Sequence, residues 1–96
     1  MLRVGLSDDA EADLASIGAF SRERFGAART RLYVRGLRAA CRLLGDFPHM
    51  APVHRGIRPE IRVLVHRSHR IFYRIEGETV LIVRILHHAR ATPTAL

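Results

Sequence analysis

Residues 70–88 read RIFYRIEGETVLIVRILHH, two strand-like runs around a short turn. In the first run, residues 70–75, Ile71, Tyr73 and Ile75 alternate with Arg70, Phe72 and Arg74, the period of two that marks a strand. Tyr73 shares the face of Ile71 and Ile75, which predicts a core aromatic with its hydroxyl at an edge. Glu76, Gly77, Glu78 and Thr79 connect the two runs as a hairpin turn. In the second run, residues 80–86, Val80, Leu81, Ile82 and Val83 are apolar at every position. A strand without a polar face is buried on both sides, so this run predicts the central strand of a sheet.

Upstream, residues 61–65 form a third strand, and the proline- and histidine-bearing stretch 49–59 is a loop. Before the loop, Tyr33, Leu37, Ala40 and Leu44 recur at spacings of four, three and four, the stripe of an amphipathic helix over residues 27–44. Gly45, Asp46, Phe47 and Pro48 end it. An earlier helix starts at Ser7 or Asp8, both good N-caps, with Asp8 and Glu11 at capping-box spacing and Asp8, Asp9 and Glu11 at the positive helix end. Ala10, Leu14, Ile17 and Phe25 form its apolar face, interrupted by Ser21, and Gly26 stops it. Two helices joined so closely make an antiparallel hairpin. Residues 2–6 alternate as a short first strand, and residues 89–96, small and polar with Pro93, read as a flexible tail. The order is β-α-α-β-β-β over one domain, residues 1–96. The fold class is α+β: a helical hairpin packed on one face of a small, largely antiparallel sheet, whose other face is concave and only partly covered.

The chain has 96 residues, a formal net charge of +7 and a pI of about 11.4. All 16 of its Lys-plus-Arg positions are arginine. Arginine presents a planar fork of donors suited to carboxylate and phosphate, so the charge implies an acidic partner, nucleic acid or acidic protein. With one cysteine, Cys41, there is neither a disulfide framework nor a cysteine-based zinc site. Cys41 adjoins Ala40 on the inner side of its helix and reads as an inert buried thiol. The N-terminal residues lack an apolar signal core, and no apolar run approaches a membrane span, so the expected location is the cytoplasm with no membrane partner.

Two further groups stand out. His66 and His69, with His49 and His54 in the preceding loop, contain metal-binding side chains but have no well-placed carboxylate, and neither a metal nor a cofactor is expected. Arg31, Arg35, Arg38 and Arg42 each lie two residues before a member of the stripe, so they occupy the opposite helix face. That face is either solvated or contacts an acidic protein or DNA bound by a target.

The element order, together with particular residues, resembles the RelE/ParE toxins, and the resemblance covers nearly the whole chain. It rests on SDDAEADLASI at 7–17, on Leu44 to Pro48 closing the second helix, on RIFYRI at 70–75 and on VRILHH at 83–88. The last resembles the I-x-R-x-L-H ending of the ParE branch. The resemblance implies a type II toxin held inactive by a cognate acidic antitoxin, ParD-like or similar, in a hetero-oligomer. ParE-like members inhibit DNA gyrase by binding it. RelE-like members are ribosome-dependent messenger RNA endoribonucleases.

Metal-free RNA cleavage needs a base, a cation beside the developing charge and an acid. Arg70 and Arg90 match the arginine positions of the nuclease branch, but the chain has no lysine, and ATPTAL after Arg90 has no tyrosine or histidine. His87 and His88 are the candidates to replace the missing groups. In a continuous strand they point to opposite faces, and the plainer reading of the pair is a strand-end cap. The missing groups weigh against the nuclease branch, and the resemblance to the ParE branch then implies a non-enzymatic gyrase inhibitor, with Arg70, His87, His88 and Arg90 as target-binding residues. Leu14, Ile17, Tyr33, Leu37 and Arg62 are the antitoxin-binding candidates. No sequence-specific DNA binding by the chain alone is expected. The alternatives are a RelE-like endoribonuclease acting through Arg70, Arg90, His87 and His88, and a degenerate member that only binds an antitoxin.

Overall fold

A computed structural model describes all residues, 1–96. The elements are β1 (Arg3–Leu6), the helical segment α1 (Asp8–Asp46), β2 (Val53–His54), β3 (Ile61–His66), β4 (His69–Glu76) and β5 (Thr79–His87). The strands form one sheet in the order β1-β5-β4-β3-β2. β1 runs parallel to β5, and the other pairings are antiparallel. β5 is thus flanked on both sides, as its unbroken apolar run requires. The two-residue β2 lies in the stretch expected to be loop; it pairs with the edge of β3 at Arg62 and Ile61.

α1 is helical over 39 residues except at Gly26, whose backbone sits at φ 82 and ψ 170. A straight helix of that length would run ~58 Å, yet the longest extent of the molecule is 38 Å. Arg38 also meets Glu11 at 3.5 Å. Both facts require the chain to fold back at Gly26 into two antiparallel arms, residues 8–25 and 27–46. The conformation at Gly26 is one that only glycine adopts readily. Beside the bend, Thr30 Oγ1 donates to Gly26 O at 2.8 Å and pairs with the Ser21 hydroxyl at 3.0 Å. This is why Ser21 interrupts the apolar stripe: it is buried and ties the arms together.

At the start of α1 the cap is Ser7, whose hydroxyl accepts from Ala10 N at 3.0 Å and donates to Val83 O at 2.9 Å, fixing the helix to β5. At its end Gly45 presses on β1: Leu2 N donates to Gly45 O at 2.8 Å, and a Cβ there would lie 2.7 Å from Leu2 O.

The core has two layers. Ala10, Leu14, Leu37, Cys41 and Leu44 of the helices pack on Ile71, Tyr73, Val80, Ile82 and Ile85. Tyr73 donates its hydroxyl to Pro48 O at 2.7 Å. Burial pushes the Cys41 thiol up to about 11, with Arg38 and Arg42 opposing weakly. On the far side of the sheet Ile57, Ile61, Phe72, Val83 and Leu86 form a second cluster, with Leu96 packed against it. The far face is partly covered, as expected, by the loop at Ile57 and the C-terminus, while Val65 stays 66% exposed. One expectation is corrected there: the tail is not free. Arg58 N donates to Thr94 O at 3.3 Å, Leu96 N to Arg58 O at 3.2 Å, and the Arg74 guanidinium to Leu96 O at 3.1 Å. Phe25, expected on the buried face, is 54% exposed, because the chain turns at the next residue.

Candidate functional site

The β4–β5 pairing slips by one residue between Phe72, which opposes Arg84, and Tyr73, which opposes Ile82. Val83 is therefore an extra residue in β5, a bulge that re-aims the side chains after it. Arg84 is turned to the helices and grips Asp13 with two bonds, Nε to Oδ2 at 2.7 Å and an Nη to Oδ1 at 3.0 Å. Ile85 N donates to the same carboxylate at 2.9 Å. This pairing raises the already high Arg84 value. The bulge and its ion pair fix the end of β5, where His87 lies beside His69 of β4.

Around that end lies a cleft of ≈ 680 Å³ between the first arm, the Gly26 bend and the tips of β4 and β5. Ile17, Phe20 and Phe25 supply apolar wall, with Phe20 57% and Phe25 54% exposed. Arg24 stacks 4.6 Å above the Phe20 ring, and Arg29 lies 5.3 Å from Phe25. Half-exposed aromatic rings capped by guanidinium groups make a rim that is both apolar and cationic. Arg90 lines the opposite rim.

Behind the rim is a cluster of imidazoles. The Tyr33 hydroxyl lies 2.6 Å from His69 Nδ1. The His69 ring sits 5.4 Å from His87 in an edge-on arrangement, and His87 lies 4.4 Å from His88. His66 is 6.1 Å from Tyr33. Burial holds the His69 ring well below the ordinary histidine value, at about 4, with the neighbouring His87, His66 and His88 adding to the effect. His69 is thus neutral near pH 7, and in the tautomer protonated at Nε2 its Nδ1 accepts a hydrogen bond from the Tyr33 hydroxyl. Burial in turn raises Tyr33 above 10, with Ser68 and Arg67 pulling the other way.

The target-binding candidates of the sequence, Arg70, His87, His88 and Arg90, gather at this end of the sheet, but two of their expected settings are corrected. His87 and His88 do not point to opposite faces. β5 ends at His87, and His88 enters a turn in which His88 N donates to Ser68 O at 2.8 Å. Arg70 is not part of an open rim. Its guanidinium donates to Thr92 Oγ1 and to Arg90 O, both at 2.6 Å, and lies 5.2 Å from the Phe72 ring. Arg70 therefore holds the tail, while the Arg90 side chain is exposed.

Of the antitoxin-binding candidates, Ile17 and Tyr33 line the cleft. Leu14 and Leu37 are 4% and 0% exposed and have no surface to offer a partner, because the stripe they belong to is the one facing the sheet. Arg62 donates to Ala51 O at 2.7 Å, bracing the loop before β2. Phe20, Arg24 and Arg29 escaped the sequence reading. Their signal is the repeated spacing Phe20–Arg24 and Phe25–Arg29, four residues each, which places a guanidinium over a ring. His66 and His69 oppose each other across the β3–β4 turn, and no three His, Cys, Asp or Glu side chains converge for a metal ion.

The family model of the ParE toxin of type II toxin-antitoxin systems, parDE, matches residues 4–92. The chain belongs to the ParE toxin family. It is 34% identical over 84 residues to Toxin ParE1 of Caulobacter vibrioides, a match covering 88% of this chain and 86% of that one. It is 36% identical over 83 residues to Toxin ParE1 of Mycobacterium tuberculosis, covering 85% of each. The fold matches a solved chain of the chromosomal ParDE TA system from P. aeruginosa, with a TM-score of 0.80 at 20% identity, over 91% of this chain and 96% of that one. This ParE-family chain is therefore a type II toxin with the RelE/ParE-like fold. No helix in it is long and apolar enough to cross a membrane.

Proposed function

We propose that this ParE toxin arrests growth without catalysis, by binding DNA gyrase in the cytoplasm, and that a cognate acidic antitoxin neutralises it in a hetero-oligomer. The observation that carries the non-enzymatic reading is the use made of Arg70. A nuclease needs a cation free to meet a phosphate at the transition state. Arg70 is instead committed to the tail through Thr92 and Arg90 O, and the chain has no lysine to take its place. The exposed groups at that end, Arg90 with His87 and His88, fit a binding rim better than an acid–base pair.

The cleft supports the antitoxin half of the reading. An amphipathic acidic segment would cover Ile17, Phe20 and Phe25 while its carboxylates meet Arg24 and Arg29. Burying such apolar area accounts for affinity that survives salt, and the charges for the part that does not.

The test is a supercoiling assay with purified gyrase and toxin, with and without antitoxin, beside a ribosome-dependent messenger RNA cleavage assay. Inhibited supercoiling, relieved by antitoxin and with messenger RNA intact, is the expected result. Discrete codon-dependent cuts with gyrase unaffected would replace this reading by the endoribonuclease one.

A further inference from the structure

On the solvent side of the hairpin, away from the cleft, the two arms leave a groove of ≈ 690 Å³ lined by helix residues alone. Arg31, Arg35, Arg38 and Arg42 of the second arm and Arg22 of the first project along it, and Glu11 is its single acid. The chain forms three ion pairs, and of these arginines only Arg38 takes part in one, with the half-exposed Glu11 at 3.5 Å. Arg22, Arg31, Arg35 and Arg42 have no carboxylate partner. Like charges one helical turn apart repel one another, so the row destabilises the free chain. A polyanion lying along the groove would remove that repulsion.

We infer that this groove binds the phosphate backbone of duplex DNA, without reading its sequence. The geometry fits. Positions 31, 35, 38 and 42 climb the arm by ~4.5 to 6 Å per step and ~16 Å in all. A DNA strand presents one phosphate per about 3.4 Å of helix axis, so a run of about five phosphates spans the row. The composition also favours nucleic acid over protein. Protein interfaces set their arginines among aromatic anchors, in a core otherwise depleted in charge. This groove has no aromatic residue at all, whereas DNA-binding surfaces are strongly positive and polar. Two of the three exposed phenylalanines, Phe20 and Phe25, line the cleft and none lines the groove, so the two sites suit two different occupants. The inference does not depend on the identity of the toxin's target.

The test is fluorescence anisotropy of a short labelled DNA duplex of arbitrary sequence, titrated with purified toxin between about 50 and 200 mM salt. Three proteins are compared: wild type, a groove variant carrying Arg31→Gln, Arg35→Gln, Arg38→Gln and Arg42→Gln, and a control carrying Arg3→Gln, Arg55→Gln, Arg58→Gln and Arg67→Gln. The control loses the same net charge at exposed positions elsewhere. Each phosphate contact contributes about 0.9 to the slope of log affinity against log salt. The groove variant should thus bind at least about tenfold more weakly, with a slope shallower by about 3 to 4. The control should keep most of both, and circular dichroism should show all three folded. Equal losses in the two variants would reduce the effect to bulk charge and overturn the inference. So would a groove variant that keeps DNA binding but loses affinity for an acidic antitoxin peptide, which would assign the groove to protein. If the groove variant is unfolded, the pair Arg35→Gln and Arg42→Gln serves instead, with an expected slope change of about 2.

Discussion

Lowering the pH should destabilise this toxin through His69, and the size of the effect can be worked from its setting. The ring is 8% exposed, packed among Tyr33, His87 and His66, with Arg67 on the adjoining turn. It titrates at about 4 in the folded chain against an ordinary value of 6.5. Between those values the unfolded chain binds a proton that the folded chain refuses. Stability therefore falls as pH drops from about 6.5 to about 4 and is level on either side of that window. A gap of about 2.5 units at about 1.4 kcal/mol each sets a ceiling of roughly 3.5 kcal/mol. The edge of the ring facing His87 borders the solvent-filled cleft, so about half of the ceiling, on the order of 1.5 kcal/mol, is the effect expected. For a domain of this size that lowers the melting temperature by roughly 6–12 °C.

The assay is thermal melting of wild type and His69→Gln at half-unit steps of pH. Glutamine keeps an acceptor for the Tyr33 hydroxyl and has no titration of its own. His66, also held below its ordinary value by burial and Arg67, contributes in the same direction to both proteins, so the difference between the curves isolates His69. The two curves should converge as the pH falls. Curves that stay parallel from neutral to acid pH would refute the reasoning, since they would place the His69 ring in contact with solvent.

Four further outcomes follow from the geometry. Asp13→Ala strands both the Arg84 guanidinium and Ile85 N, and should cost on the order of 3 kcal/mol in a denaturant titration, with Asp13→Asn recovering part of it. Gly26→Ala forces a Cβ into a glycine-only conformation and should cost roughly 1–3 kcal/mol while leaving the melt cooperative. Arg90→Ala should leave the melt unchanged within about 0.5 kcal/mol and weaken toxicity in cells lacking antitoxin; Arg70→Ala, which frees the tail, should raise hydrogen exchange at the amides of Leu96 and Arg58 as well.

The layers of this fold were legible because periodicity carries them. The unbroken run Val80 to Val83 can be satisfied only between two strands, and the structure puts β1 and β4 beside it. The stripe through Leu37 and Leu44 had to face the sheet, and both are fully buried. What escaped depends on single residues acting at a distance. Nothing local shows that Val83 is a bulge, since one extra residue in an apolar run leaves its pattern unchanged. Nor does a tail such as ATPTAL advertise order. It is held from outside, by Arg70, Arg74 and the Arg58 backbone, and composition sees only the held segment.

The same distinction explains the site. Arg70, His87, His88 and Arg90 came from resemblance, which gives position but not posture. Posture is decided by which groups compete for each side chain. Arg70 has two acceptors in the tail within 2.6 Å, so its charge is engaged within the chain. Arg24 and Arg29 have aromatic faces beneath them and no carboxylate, so their charge remains available at the cleft. Two arginine sets thus survive as surfaces for other molecules, one on an apolar rim and one along a bare groove. The apolar content beneath each set, rather than the charge they share, determines what kind of partner each can hold.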